Sequence, residues 1–203
     1  MRSIFFLGFI LALEAGLRLS PLFAQNQFQL VQRPVVLDEG GQLTQYAILV
    51  RGYEFVFLPP ENWKLSVDEA KNRIVFTSRD RTANLSFAVS WDLSKPSSQA
   101  DTVDLRKMIA DRFPDSTILE EFTSYANNSQ GPTFDISFRA PANQMCTRIF
   151  FLRFSGGSVE FAVTSSVENF KNYQLTFGHF LNSIRISPVQ KRTDPPGPDG
   201  VRK

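Results

Sequence analysis

The chain has 203 residues, 42% of them hydrophobic, with 22 basic against 20 acidic side chains, one cysteine and one histidine. So nearly neutral a protein lacks the basic surplus that nucleic-acid binding demands. One cysteine cannot close an intrachain disulfide and one histidine cannot build a multi-histidine zinc site, so the chain must be held by an apolar core.

Met1-Arg2-Ser3 precedes ten mostly apolar residues, Ile4 to Leu13, and a mixed segment ending Leu22-Phe23-Ala24. A positive tip, a short apolar run and a small residue at the cut describe a secretory signal peptide over residues 1–24. Glu14 and Arg18 stop the run short of the about 20 apolar residues that a membrane span needs, which disfavours a retained anchor. Cleavage removes Arg2, Glu14 and Arg18 and leaves 20 basic and 19 acidic groups. The expected product is secreted or periplasmic, with no transmembrane anchor. Residues 25–45, rich in Gln and holding Pro34 and Gly40-Gly41, read as a flexible N-terminal arm. Residues 46–186 form a single domain, long enough to bury about 70% of its unfolded surface. Residues 187–203 are too poor in apolar side chains to order themselves and read as a disordered tail.

Within the domain, Tyr46–Val50 is a short strand. Glu54–Leu58 and Trp63–Val67 read as two strands that turn into one another at Pro59-Pro60. Arg73–Ser78 and Asn84–Asp92 alternate apolar and polar residues on either side of the charged tip Arg79-Asp80-Arg81-Thr82, the pattern of a hairpin. A helix is predicted from Gln99 to Phe113, with Leu105, Met108 and Ile109 on one face and Pro114 as its stop. Ile118–Tyr125, Thr133–Arg139 and Met145–Phe154 are three further strands. Cys146, at the start of the last, has no His or Lys beside it to lower its pKa and reads as a buried, inert thiol.

The stretch from Thr147 to Ile186 predicts strand, turn, strand and helix without a gap. With Gly156-Gly157 at the centre of a two-residue turn, Phe154, Leu152 and Phe150 lie opposite Val159, Phe161 and Val163 on a core face. The other face sets Arg153 across from Glu160, a register-fixing ion pair on a half-covered surface against which something packs. Ser165 and Glu168 stand in the capping-box relation. Val167, Phe170, Tyr173, Phe177, Phe180 or Leu181, and Ile184 then form one helical stripe. Gly178 within it costs about 1 kcal/mol against alanine, which predicts a close approach there. His179 lies away from the stripe, in solvent, where it serves no Ser-His-Asp or Cys-His scheme.

Runs of strands interrupted by two helices define an α+β class, a central antiparallel β-sheet flanked by helices in a single-domain sandwich. The start Phe57-Leu58-Pro59-Pro60-Glu61-Asn62-Trp63, the helix between two blocks of strands and the close Phe170…Tyr173…Phe177…Leu181-Asn182-Ser183-Ile184 resemble the PsbP-like family over roughly residues 50–186. That family includes the extrinsic subunit of photosystem II, Ran-binding relatives and bacterial DcrB-like envelope proteins. The resemblance implies a docking or assembly role without catalysis, and none of the family's metal-ligand or Ran-contact residues can be matched here one by one.

No catalytic, metal or cofactor residues emerge. Asp68-Glu69 and Glu120-Glu121 are adjacent acids, which point to opposite faces of a strand or sit in turns, and Gly156-Gly157 opens no helix that would cradle a phosphate. The expected function is therefore a non-enzymatic protein-docking or assembly module of the cell envelope with a protein partner. Its surface is expected on loops such as Arg79-Asp80-Arg81, although a run of this kind reads first as a solvated hairpin tip. The alternative is a carrier of an apolar small ligand or lipid, motivated by the 16 phenylalanines left after cleavage. A hydrolase with a carboxylate-based site comes third.

Overall fold

The computed structural model describes residues 28–36, 40–98, 101–141 and 143–189. The expected signal peptide lies outside these, as does the tail after Val189. The strands are β1 (Gln29–Val36), β2 (Gln42–Val50), β3 (Tyr53–Phe57), β4 (Lys64–Asp68), β5 (Arg73–Thr77), β6 (Ala83–Ser90), β7 (Thr117–Ala126), β8 (Ser129–Arg139), β9 (Gln144–Phe154), β10 (Gly157–Ser166) and β11 (Arg185–Pro188). Helix α1 (Thr102–Arg112) separates β6 from β7, and α2 (Phe170–Ser183) separates β10 from β11.

The α+β class holds, but the expected single sheet is two, both antiparallel. One has the order β1-β2-β3-β11 and the other β4-β5-β6-β10-β9-β8-β7. Pro59-Pro60 was expected to fold two partner strands together and instead carries the chain from one sheet to the other. Two consecutive residues without N–H groups cannot extend a ladder, so β3 pairs with β2 and β11 while β4 pairs only with β5.

The supposed arm, residues 25–45, holds β1, which pairs along its whole length with β2. Pro34 is accommodated because β1 is an edge strand whose outer side needs no donor, Phe28 is buried in the core, and Arg33 pairs with Glu54 of β3 at 2.6 Å. The domain therefore begins before Tyr46. It also runs past Ile186, since Ser187 and Pro188 of the expected tail pair with Glu54 and Tyr53.

Alternation along the strands sorts side chains into two cores. Phe76 of β5, Phe87 of β6, Phe161 of β10 and Phe150 of β9 meet Phe55 and Phe57 of the smaller sheet and Phe177 and Phe180 of α2 in one cluster. On the opposite face of the large sheet, Leu105 and Ile109 of α1 pack on Phe134, Ile136, Ile149 and Phe151. The order of layers is thus the small sheet with α2, then the large sheet, then α1.

The β9–β10 turn differs from expectation by one residue. Ser155-Gly156 form the loop, and Phe154 pairs with Gly157, Leu152 with Val159 and Phe150 with Phe161. Gly157 is a strand residue whose missing Cβ makes room for the Ser90 carbonyl oxygen of β6. Each pairing moves by two residues, which keeps every side chain on its expected face. The move separates Arg153 from Glu160: Arg153 now faces Ser158, and Glu160 faces Phe151. The capping box is also absent. β10 runs through Ser166, with Ser165 fully buried in the strand, so α2 starts later, with Asn169 at its N-cap and no side-chain cap. Gly178 has nothing within 4 Å of where a Cβ would stand, so no close approach explains it.

Candidate functional site

Helix α1 covers only part of its face of the large sheet. Beside it runs an open groove of about 970 Å³. Its floor follows from alternation: Leu85, Phe87 and Val89 of β6 point to the aromatic core, which leaves Ser86, Ala88 and Ser90 on the other side. Val159, Phe161 and Val163 of β10 likewise leave Ser158, Glu160, Ala162 and Thr164. These side chains lie opposite one another, Ser86 by Ala162 and Ala88 by Glu160, and form a floor in which Ser86 and Ser158 are buried and Ala88, Ser90, Glu160, Ala162 and Thr164 are half-buried. Met108, Arg112 and Phe113 at the edge of α1 form one wall, joined by Phe138 with its ring 4.8 Å from that of Phe113.

Two arginines fix this geometry. Arg112 donates to both oxygens of Glu160, at 2.6 and 2.8 Å, and clamps the end of α1 to β10. Those hydrogen bonds raise the Arg112 pKa despite partial burial. Arg153, freed from its expected partner, donates to Ser97 Oγ at 3.0 Å and to the carbonyls of Lys95 and Leu93 at 3.1 and 3.4 Å. It thereby ties the segment before α1 to the rim of the groove. Asp101 completes the brace by accepting from Ser97 N, Ser98 N and Ser98 Oγ, which with the Arg153 charge hold its carboxyl below the usual range.

The tip residues Arg79, Asp80 and Arg81 lie elsewhere, between β5 and β6 and beneath α2. Asp80 accepts from Ser78 Oγ at 2.6 Å, Thr82 Oγ1 at 2.9 Å and Thr82 N at 3.1 Å, with Tyr173 Oη at 3.3 Å. Its pKa falls to about 2, chiefly through the Ser78 hydroxyl. This carboxylate is committed to shaping its own turn, and Tyr173 also meets Thr82 Oγ1 at 2.6 Å, which docks the tip on α2. Arg79 and Arg81 are exposed.

His179 is exposed and borders a smaller cleft of about 350 Å³ with Pro60, Glu61, Trp63 and Ser183. Burial raises the pKa of the Cys146 thiol, as an inert cysteine requires. Among the described residues no three of His, Cys, Asp and Glu gather as a metal site, and no helix is long and apolar enough to cross a membrane. Sequence reasoning missed the groove. Its signal was the run of Ser, Ala and Thr at alternate positions of β6 and β10, opposite Phe, Leu and Val, which reads simply as a polar face until the third dimension shows it lining a groove.

The molecule is thus an α+β domain of two antiparallel sheets with a groove beside α1. No family model and no curated protein matches the chain. Among solved structures it is similar to cyanobacterial PsbP (CyanoP) from Synechocystis sp. PCC 6803, with 15% identity over 67% of this chain and 87% of that one and a TM-score of 0.48. It is similar to LpqN, involved in cell envelope biogenesis of Mycobacterium tuberculosis, with 10% identity, coverage of 79% and 92%, and a TM-score of 0.46. It is similar also to the Saccharomyces cerevisiae Ran-binding protein Mog1p, with 9% identity, coverage of 80% and 97%, and a TM-score of 0.47. At these identities and TM-scores the likenesses carry no partner or activity over to this chain.

Proposed function

We propose that the protein is a non-enzymatic docking or assembly module of the cell envelope that receives its partner in the groove beside α1. The observation that carries this reading is a preformed trough: a floor of Ser, Ala and Thr on two central strands, braced by the Arg112–Glu160 and Arg153 contacts. A sheet face left open beside one helix is a place for another polypeptide, and bracing from both sides lets it bind with little reordering. The phenylalanines that motivated an apolar carrier pack on one another, with Phe57, Phe76 and Phe161 each within 6.2 Å of the Phe180 ring, which favours docking over a lipid cavity. Export is part of the proposal and rests on the pattern of residues 1–24. Arg79 and Arg81 offer a secondary contact, at the tip shaped by Asp80.

A photo-crosslinking amino acid placed at Ala88 or at Ala162 tests the reading in the envelope fraction. Both positions should yield the same discrete adduct, and exposed Leu175 on α2, over the opposite face of the large sheet, should not. Equal labelling from Leu175, or no adduct from the groove, would remove the proposal.

A further inference from the structure

The charges facing the groove are Lys71, Arg73, Asp92, Lys95, Arg112 and Glu160. Both carboxylates are occupied. Glu160 is gripped by Arg112, and Asp92 Oδ1 accepts from Ser94 N at 3.0 Å and Ser94 Oγ at 2.6 Å, which lowers its pKa, with a smaller contribution from the charge of Lys95. The cations are less engaged. Lys71 pairs with half-buried Asp68 at 3.3 Å, Arg73 lies across the β4–β5 ladder from that same Asp68, and among the described residues neither Arg73 nor Lys95 has an ion-pair partner within 4 Å.

These cations share one end. Arg73 stands beside Ala88 on the neighbouring strand, Asn72 accepts from Val89 N, and Lys95 is held over the same end by Arg153. The far end, with Asn84, Thr147, Thr164 and Phe138, is neutral. From Ser158 to Thr164 the floor is about 20 Å long at the rise of a strand. Its charge is therefore graded along its length, from Lys71, Arg73 and Lys95 set against Asp92 and the neighbouring Asp68 at one end to no charge at the other, and a concave wall concentrates the field of the net positive end.

We propose that the docked segment belongs to a protein partner that is acidic at one end and apolar along the rest, its carboxylates meeting Arg73 and Lys95 and its apolar side chains resting on Ala88, Ala162 and Phe113. This rests on the docking reading above and adds the chemistry and direction of the partner. Charge complementarity of this kind sets orientation and rejects wrong partners. A second copy of the chain would have to supply an acidic strip of its own. The chain's own residues 190–203 fit poorly, since they hold Lys191, Arg192, Arg202 and Lys203 against Asp194 and Asp199.

The test is a displayed library of random 12-residue peptides selected on the full chain and depleted on Ala88→Trp, whose bulk fills the floor. Melting temperatures first establish that the variant is folded, with Ala162→Trp as the substitute if it is not. Depletion-sensitive peptides should carry Asp and Glu clustered at one end. A synthetic representative should bind at least ten-fold more weakly to the Arg73→Glu, Lys95→Glu double variant, whose changes lie on the surface. Groove-dependent peptides with no acidic bias, or indifferent to that charge reversal, overturn the acidic assignment and leave the docking reading in place. A selection that yields no groove-dependent peptide at all overturns both. Sedimentation showing a dimer that Ala88→Trp dissolves, or binding that appears only after residues 190–203 are deleted, assigns the groove to the chain itself and overturns the partner.

Discussion

Arg148 grips Asp135 directly across the β8–β9 ladder, with Nε on Oδ1 and Nη2 on Oδ2, both at 2.7 Å. The guanidinium lies 4.8 Å from the centre of the Phe122 ring on β7, so one side chain links three strands. With side-chain exposures of 17% and 6% it is more buried than any other ion pair among the described residues. Cutting a pair this buried leaves a charge with no counterpart, which costs about 3–5 kcal/mol, whereas replacing both partners by apolar groups of similar volume is often near neutral. Asp135→Ala should lose about that much in urea denaturation, and Asp135→Leu with Arg148→Met should recover most of it. A loss under about 1 kcal/mol for the single variant would show that the pair is solvated.

Two glycines predict opposite signs. A Cβ on Gly157 would collide with the Ser90 carbonyl oxygen, so even Gly157→Ala should lower the melting temperature by several degrees. Gly178, in mid-helix with open space around it, gains from the same change: Gly178→Ala should add roughly 0.5–1 kcal/mol. Calorimetry on the two variants checks both, and a stabilised Gly157→Ala would contradict the pairing of β10 with β6.

Asp80 supplies a dependence on acid. Its native pKa of about 2 lies below the ordinary 3.8, so the unfolded chain takes up the proton first as pH falls. The stabilisation is complete above about pH 4 and is lost between there and pH 2. The lead in melting temperature of the wild type over Asp80→Asn should shrink across that window and stay constant from pH 5 to 7. A lead that is the same at pH 2.5 and pH 6 would mean that the Ser78 and Thr82 contacts do not persist in solution.

Cys146 is 3% exposed and its thiol is pushed up by burial, and only a thiolate reacts quickly. Iodoacetamide at pH 8 should leave it unmodified for hours in the native protein and alkylate it within minutes in 6 M guanidinium, as read by intact mass. Rapid native labelling would place the residue in a region that opens locally.

Local pattern made much of this fold legible. The periodicity of Leu105 and Ile109, and of Phe170, Phe177 and Leu181, located both helices and their buried faces, and alternation in Ile74, Phe76, Leu85 and Phe87 located the hairpin between them. Partition into two sheets was not legible, because a diproline reads as a turn whether the next strand pairs with the last or joins another sheet. β1 was hidden by Pro34, which only an edge position tolerates. The side chains of Arg153 and Glu160 were placed on the correct face and given the wrong partners, since a shift of two residues conserves faces and changes every pair. The groove was unreadable for a related reason: Ala88 and Thr164 look the same in sequence whether a helix covers them fully or a groove runs beside it.

The pairing of β11 with β3 joins residue 185 to residue 56. During synthesis the small sheet therefore waits, with its third strand unzipped on one edge, until nearly the whole chain has emerged. Such distant closure slows folding, and at about 5–20 residues per second the interval between those two residues lasts about 6 to 26 seconds. A chain crossing a membrane unfolded, in step with its own synthesis, would leave that half-finished edge on the far side, where a chaperone is best placed to shield it.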